Sequence, residues 1–234
     1  MDNEYTAESL KEGLILPFDK PYGWSSFKLV NKVRYQLCRH AGIPKLKVGH
    51  AGTLDPLASG LLILCTGKAT KSIMEIQEMP KIYNAEITFG ATTPSYDLET
   101  EIDKTYPAEH ITLDLLKEKI QEFIGRSEQV PPLYSAKNIN GVRAYNYARE
   151  GVKKELRPQT IEIYDFTITA FNYPVLQSEI KCSKGTYIRS LAHDLGQALG
   201  SGAYLSGLIR TAIGHYTLDR AINTENFKRK LNIL

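Results

Sequence analysis

Apolar residues recur along this chain at two different periods, and the changes of period mark out its elements. Gly13-Leu-Ile-Leu-Pro-Phe18 is an apolar run halted by the turn residues Asp19-Lys20-Pro21-Tyr22-Gly23, which predicts a short strand. Ser25 or Ser26 can cap the helix that follows, which runs to about Arg39 with Val30, Val33 and Leu37 on its buried side. Lys28, Lys32, Arg34 and Arg39 fall mostly on the other side and read as a solvated face. Leu61-Leu62-Ile63-Leu64-Cys65, wholly apolar and fenced by Gly60 and Gly67, predicts a buried strand. Lys81 to Phe89 alternates strictly, with Tyr83, Ala85, Ile87 and Phe89 on one face and Asn84, Glu86 and Thr88 on the other. The first dozen residues, acidic and polar, are expected to be frayed.

In the second half, Thr112 caps a helix with Leu113, Leu116, Ile120, Phe123 and Ile124 at helical spacing and Gly125 at its end. Ile161 to Ala170 predicts a strand whose alternation changes phase, since apolar residues stand at 161 and 163 and then at 166, 168 and 170. A one-residue bulge near Tyr164-Asp165 restores the inward face. A second strand over about Leu176 to Cys182 leads into a helix that buries Ile188, Leu191, Leu195 and Leu199 before Gly200.

Composition sets the class. The 234 residues are 42% hydrophobic and 24% charged, as in a globular protein of one sizeable domain or two small ones. A formal charge of +3 allows a nucleic-acid partner without demanding one. Cys38, Cys65 and Cys182 are odd in number and far apart, which fits neither a disulfide framework nor a zinc site and reads as reduced thiols in a cytoplasmic protein. The N-terminus lacks the pattern of a signal peptide, and no apolar run approaches the roughly 20 residues of a membrane span.

The candidate chemistry centres on GHAGTLDPLASGLLILCTGKATK, residues 49–71, where Asp55 is the one carboxylate, on a glycine-punctuated loop beside a buried strand. Asp55-Pro56 also has the form of an ordinary helix start. A phosphate-binding loop ending at Gly67-Lys68 fails twice, at Leu62 and at Ala69. Tyr83, taken alone, reads as a core tyrosine. Arg189 lies near a helix start, where the dipole disfavours a cation, so a compensating group is expected; a surface pair with Asp194 is one solution. Between Gln129 and Arg157, Tyr134, Tyr145 and Tyr147 are interleaved with Lys137, Arg143, Arg149, Lys153, Lys154 and Arg157. That mixture suits unpaired bases and phosphates, or equally a helix from about Ala144 to Glu150 packed by its tyrosines.

Several separated segments, GLILPFDKPYGWSS, GHAGTLDPLASGLL, KIY at 81–83, CSKGTYIRSL and SGLIRT, resemble in order the motifs of the TruB family of tRNA pseudouridine synthases, over about Gly13 to Tyr216. The resemblance implies an α+β pseudouridine synthase fold, a central mixed, largely antiparallel sheet flanked by helices and loops, with a thumb-like insertion at about 131–157. It implies a single catalytic domain over 1–234 without the C-terminal PUA domain common in the family. It implies isomerisation of the T-arm uridine at tRNA position 55, by base flipping and aspartate-dependent rearrangement of the glycosidic bond, in the cytoplasm. By the same resemblance Asp55, Tyr83 and Arg189 are catalytic, with Arg189 paired to Asp55, while His50, Tyr187, Leu208 and Lys20 bind substrate or support the pocket. Ile209 replaces a frequent arginine beside Leu208. The loop GATTPSYDLETE departs from the family pattern at Pro94 and Thr100, so Asp97 and Thr93 are assigned no chemistry and the loop is expected on the surface.

The implied partner is tRNA, with no metal, no other cofactor, no membrane and no protein partner. The sequence offers no ligand cluster or nucleotide loop to the contrary. Two other classes stay open: a non-catalytic RNA-binding chaperone, which would not need Asp55, and a small-molecule enzyme using the glycine loop to bind a nucleotide.

Overall fold

The computed structural model describes residues 4–135, 137–139, 141–152, 154 and 156–231. The chain divides into two compact units, Met1–Tyr83 with Ile209–Leu234, and Asn84–Leu208.

In the first unit α1 (Ala7–Glu12) begins at Thr6, whose side-chain oxygen accepts from the Ser9 backbone N–H at 3.1 Å. The expectation of a frayed start is therefore corrected. A six-residue helix is marginal by itself, but this one buries Leu10, and Tyr5 just ahead of it packs edge-on against Phe227 with ring centroids 5.5 Å apart. β1 (Ile15–Lys20) follows, then α2 (Ser26–His40), capped by the Ser25 side chain accepting from Lys28 N–H. Leu29, Val30, Val33 and Leu37 form the buried stripe of α2. β2 (Val48–Ala51), β3 (Ser59–Thr66), a 3-10 turn over Gly67–Ser72, α3 (Ile73–Glu78) and the start of β4 (Lys81–Phe89) complete this segment.

The second unit contains β5 (Ala91–Thr92), β6 (Lys104–Thr105), α4 (Leu113–Gln121), β7 (Gly125–Gln129), β8 (Asn138–Ile139), β9 (Val142–Arg143), α5 (Ala144–Arg149), β10 (Gln159–Asn172), β11 (Val175–Cys182), α6 (Ile188–Ala198) and the first part of β12 (Ala203–Ile213). Thr112 caps α4 as expected, but the helix ends at Gln121, short of Gly125. Gly125 instead opens β7, opposite Ile163 of β10. The bulge expected near Tyr164-Asp165 is present: the register of β10 against β11 shifts between Ile163 and Asp165, and again between Ile168 and Ala170. The chain then returns to the first unit through β13 (Tyr216–Thr217) and α7 (Thr224–Lys230), whose Phe227 is fully buried.

Strands β4 and β12 each contribute to both units. In the first the strand order is β1-β3-β12-β4, with β2 also on β3; in the second it is β12-β4-β11-β10-β7. β12 runs parallel to β3, whereas β1–β3, β2–β3, β7–β10 and β10–β11 are antiparallel, which makes the sheet mixed and largely antiparallel as expected. The unbroken apolar run of β3 follows from burial on both faces. Leu62 and Leu64 join the cluster of Phe18, Leu29, Val33 and Phe227, and Leu61, Ile63 and Cys65 join a second cluster with Ala51, Ile76 and Ile213.

Candidate active site

β3 is the rigid floor from which the loop of Asp55 departs. No helix follows Asp55: Pro56 and Leu57 form a turn closed by Ala58 N–H on the Asp55 carbonyl oxygen at 3.1 Å. The helix-start reading of Asp55-Pro56 is therefore set aside, and the Asp55 side chain is half-buried. Three hydrogen bonds tie the loop to the start of α2. Gly23 N–H donates to Pro56 O at 2.8 Å, Leu54 N–H donates to Ser26 Oγ at 2.9 Å, and Ser26 Oγ donates to Leu54 O at 2.9 Å. Ser25 caps the helix and its neighbour Ser26, almost wholly buried, holds the residue before Asp55.

Arg210 grips the same loop from β12. Its guanidinium is buried, with Nε donating to Leu61 O at 2.8 Å and Nη2 to Gly52 O at 3.0 Å. Gly60 faces Arg210 in the parallel pair at φ +97°, and a Cβ there would lie 2.4 Å from the Arg210 carbonyl oxygen, so only glycine fits. The sequence reading missed Arg210, having looked for a family arginine at Ile209, which is exposed. A cation inside the apolar run Leu205 to Ile213 was the available signal.

Two more residues assigned to the site surround this cation. Lys20, fully buried at the end of β1, donates through Nζ to Pro21 O at 3.1 Å and Trp24 O at 2.6 Å. Burial pushes its ammonium down to about 8; the Asp55 carboxylate opposes that, Arg210 adds to it and Asp19 opposes it. His50, on β2, is held below its ordinary value by burial and then by Arg210, with a backbone contact from Gly52 working the other way. Its buried Nδ1 has no hydrogen-bond partner among the described residues. Lys20, His50 and Asp55 are thus brought into one electrostatic neighbourhood. Tyr83 lies on β4 with its side chain inward, on the face shared by Ala85, Ile87 and Phe89 and, unexpectedly, by the buried Lys81, which donates to Gln77 O and Met79 O.

In the second unit Arg189 is buried at the start of α6. Its Nε stands 3.6 Å from Asp97 Oδ2, Nη1 donates to Ser95 O at 3.1 Å and Nη2 to Tyr134 O at 2.9 Å. These groups supply the compensation that its helix position requires. Two expectations are corrected here. Arg189 is no surface arginine paired with Asp194, whose carboxyl burial pushes up to about 6. The loop at Asp97 is only partly on the surface: Pro94, Leu98 and Glu99 are exposed, but Thr93, Ser95 and Asp97 are buried, and Asp97 accepts from Glu99 N–H as well as facing Arg189. Tyr187, half-buried, precedes α6 and is fixed through its backbone, donating to Gln129 Oε1 at 2.8 Å and accepting from Gln129 Nε2 at 3.0 Å. Leu208 is half-buried on β12.

In the tyrosine-rich segment α5 matches the expected helix, and Lys154 sits over the Tyr147 ring at 5.7 Å. Lys137 donates to Gln159 at 2.6 Å. Lys153 and the side chains of Arg143 and Arg149 lie outside the described residues.

Comparison with known proteins meets this geometry from the sequence side. The family model of the TruB family pseudouridylate synthase (N terminal domain) matches residues 39–188, and that of the tRNA pseudouridylate synthase B C-terminal domain matches residues 189–233. A Phocaeicola vulgatus protein named tRNA pseudouridine synthase B is 54% identical over 224 residues, 96% of this chain and 95% of the relative. Its counterpart in Flavobacterium johnsoniae is 50% identical over 227 residues, 97% of this chain and 99% of the relative. Among solved structures, a chain of a Cbf5-Nop10-Gar1 complex matches with a TM-score of 0.69 at 25% identity, over 96% of this chain and 58% of its own. A chain of an H/ACA RNP bound to a substrate RNA shares the fold, with a TM-score of 0.67 at 23% identity over 96% of this chain and 57% of its own. The family models cover both the Asp55 loop and the strand that brings Arg210 to it, and the chain belongs to the TruB family of pseudouridylate synthases.

Proposed function

We propose that this chain isomerises uridine to pseudouridine in tRNA, at the T-arm uridine of position 55, with Asp55 as the reacting carboxylate. The observation that carries the reading is the loop of Asp55, held by Arg210, Ser26 and Gly23 beside Lys20. Such bracing suits a side chain that must meet its reaction centre with little positional freedom.

The reaction breaks the N-glycosidic bond, turns the uracil and rejoins it to the ribose through carbon, so nothing enters or leaves overall except one proton removed from carbon and one returned to nitrogen. A base within a folded arm must first be flipped out, at a cost of a few kcal/mol, into a pocket offering stacking and polar contacts. Tyr83 stacks on that base and takes the proton from carbon, Tyr187 and Leu208 wall the pocket, and His50 contacts the RNA beside the extruded nucleotide. Arg189 is the third catalytic residue of this reading. Lys20, charged near neutral pH, places a cation in the neighbourhood of Asp55. Names of the relatives support tRNA as the substrate.

The test is incubation of the protein with a tRNA transcript free of modifications, followed by chemical mapping of pseudouridine. One modified position, in the T arm, is expected. No pseudouridine in any tRNA, or modification confined to another arm, overturns the reading.

A further inference from the structure

The seven cations Lys20, Lys28, Lys32, Arg34, Arg39, Lys45 and Lys47 lie between Asp19 and Asp55 with no acidic residue among them. With the whole chain at +3, the rest is net acidic by four, so a near-neutral total conceals a strongly basic stretch ending at the reactive carboxylate. Its centre is α2, whose four cations have no ion-pairing carboxylate among the described residues.

The outer face of α2 is also aromatic. The three most exposed aromatic side chains among the described residues are Phe27 at 67%, Tyr35 at 64% and Tyr22 at 63%, two of them on α2 and one in the turn before it. At about 100° per residue, Arg34, Phe27, Asn31, Tyr35, Lys28, Arg39 and Lys32 occupy a single arc of about 160°, opposite the buried stripe. Lys28 and Lys32 stand over the Trp24 ring at 4.6 and 4.9 Å, and Arg34 is steadied by Asn31 Oδ1 at 2.8 Å. Two ammonium groups gathered on one ring repel each other unless an anion lies nearby. Rings that would be stabilised by burial stand open beside them.

We infer that this face of α2 is a docking track for the substrate RNA, with Lys28, Lys32 and Arg34 on backbone phosphates and Phe27 and Tyr35 against unstacked bases. Alternating cations and open rings match the two surfaces of an unpaired strand, whereas a protein partner would meet four uncompensated charges. The track has a fixed origin: the hydrogen bonds of Gly23 and Ser26 couple the first turn of α2 to the residues on either side of Asp55. RNA laid along the helix is therefore held at a set distance from the carboxylate. This inference rests on the proposed RNA substrate and adds to it a surface outside the pocket.

The experiment measures binding of an unmodified tRNA transcript across a series of salt concentrations, for the wild type and three variants. The first carries Lys28→Gln, Lys32→Gln and Arg34→Gln; the second Phe27→Ser and Tyr35→Ser; the control Lys11→Gln, Lys104→Gln and Lys117→Gln, the same charge change on other elements. The first is expected to bind roughly tenfold or more weakly, with the slope of log affinity against log salt reduced by about three. The second is expected to lose roughly fivefold or more in affinity with the slope kept, as stacking without phosphate contact requires. The control is expected to stay within twofold of the wild type. Thermal midpoints within a few degrees of the wild type show that the exposed substitutions leave the fold intact. Wild-type affinity and slope in the first variant, or an equal loss in the control, overturns the inference. Absence of pseudouridine from wild-type reactions would instead overturn the proposed activity, and the binding comparison would still decide the docking face.

Discussion

Arg210 donates to the carbonyl oxygen of Gly52 at 3.0 Å, across the sheet from the strand on which that arginine lies. A second bond from the same guanidinium, to Leu61 O at 2.8 Å, makes one buried side chain the clasp for both ends of the loop that carries Asp55. Arg210→Met is expected to destabilise the fold by about 3 kcal/mol, because the buried Leu61 carbonyl and the partly buried Gly52 carbonyl lose their donors. Arg210→Lys should recover less than half of that, since a single ammonium cannot reproduce the fork. Urea unfolding checks both values, and a loss below about 1 kcal/mol for Arg210→Met would contradict the clasp.

Ser25 and Ser26, adjacent and chemically identical, should respond differently to truncation. Ser25→Ala removes a cap on α2 and should cost about 1 kcal/mol with little change in turnover. Ser26→Ala leaves the Leu54 N–H and carbonyl without their shared hydroxyl in the interior, and should cost about 2 kcal/mol and lower kcat by loosening the loop beside Asp55. Equal effects on kcat would count against Ser26 as the residue that positions the loop.

Asp97 and Arg189 form a buried ion pair, with Arg189 Nε 3.6 Å from Asp97 Oδ2. Asp97→Asn is expected to destabilise by about 3 kcal/mol and to reduce kcat through Arg189. Arg189→Lys should not rescue the native arrangement, because three partners, Asp97, Ser95 O and Tyr134 O, are met by one planar fork. Unfolding curves and steady-state kinetics on tRNA test this, and wild-type kcat in Asp97→Asn would contradict it.

Asp194 gives a test in pH. Burial raises its folded value to about 6 from an ordinary 3.8, so between those values the folded protein holds a proton that the unfolded chain has released, and stability falls as pH rises through this window. Asp194→Asn mimics the protonated form. It should therefore stabilise the protein by about 2 kcal/mol at pH 7, with the gain vanishing below about pH 4. Denaturation at pH 4 and pH 7 checks the sign; a variant that is less stable at pH 7 would contradict it.

Sequence periodicity was sufficient where one physical requirement dominates. The alternation of Tyr83, Ala85, Ile87 and Phe89, the stripe of α2 and the bulge at Tyr164 are each dictated by burial on one face, and all are present. It was insufficient where a local pattern has two solutions. Asp55-Pro56 satisfies a helix start and a turn alike, and only the apolar run that continues into β3 selects the turn. Gly125 suits the end of a helix or the head of a strand at positive φ, and pairing with Ile163 decides. The buried partners were the least legible. Arg210 and Ser26 act through hydrogen bonds, and Asp97 through an ion pair, to chain tens of residues away, and no neighbouring residue announces such a contact.

The most direct measurement of the central claim is pseudouridine formation by Asp55→Asn in a single-turnover reaction with saturating unmodified tRNA, together with its tRNA affinity. The substitution removes the carboxylate and keeps its shape, while affinity rests on phosphate and stacking contacts elsewhere. The account predicts no detectable pseudouridine and binding within a few fold of the wild type; pseudouridine formed at a substantial fraction of the wild-type rate would contradict it.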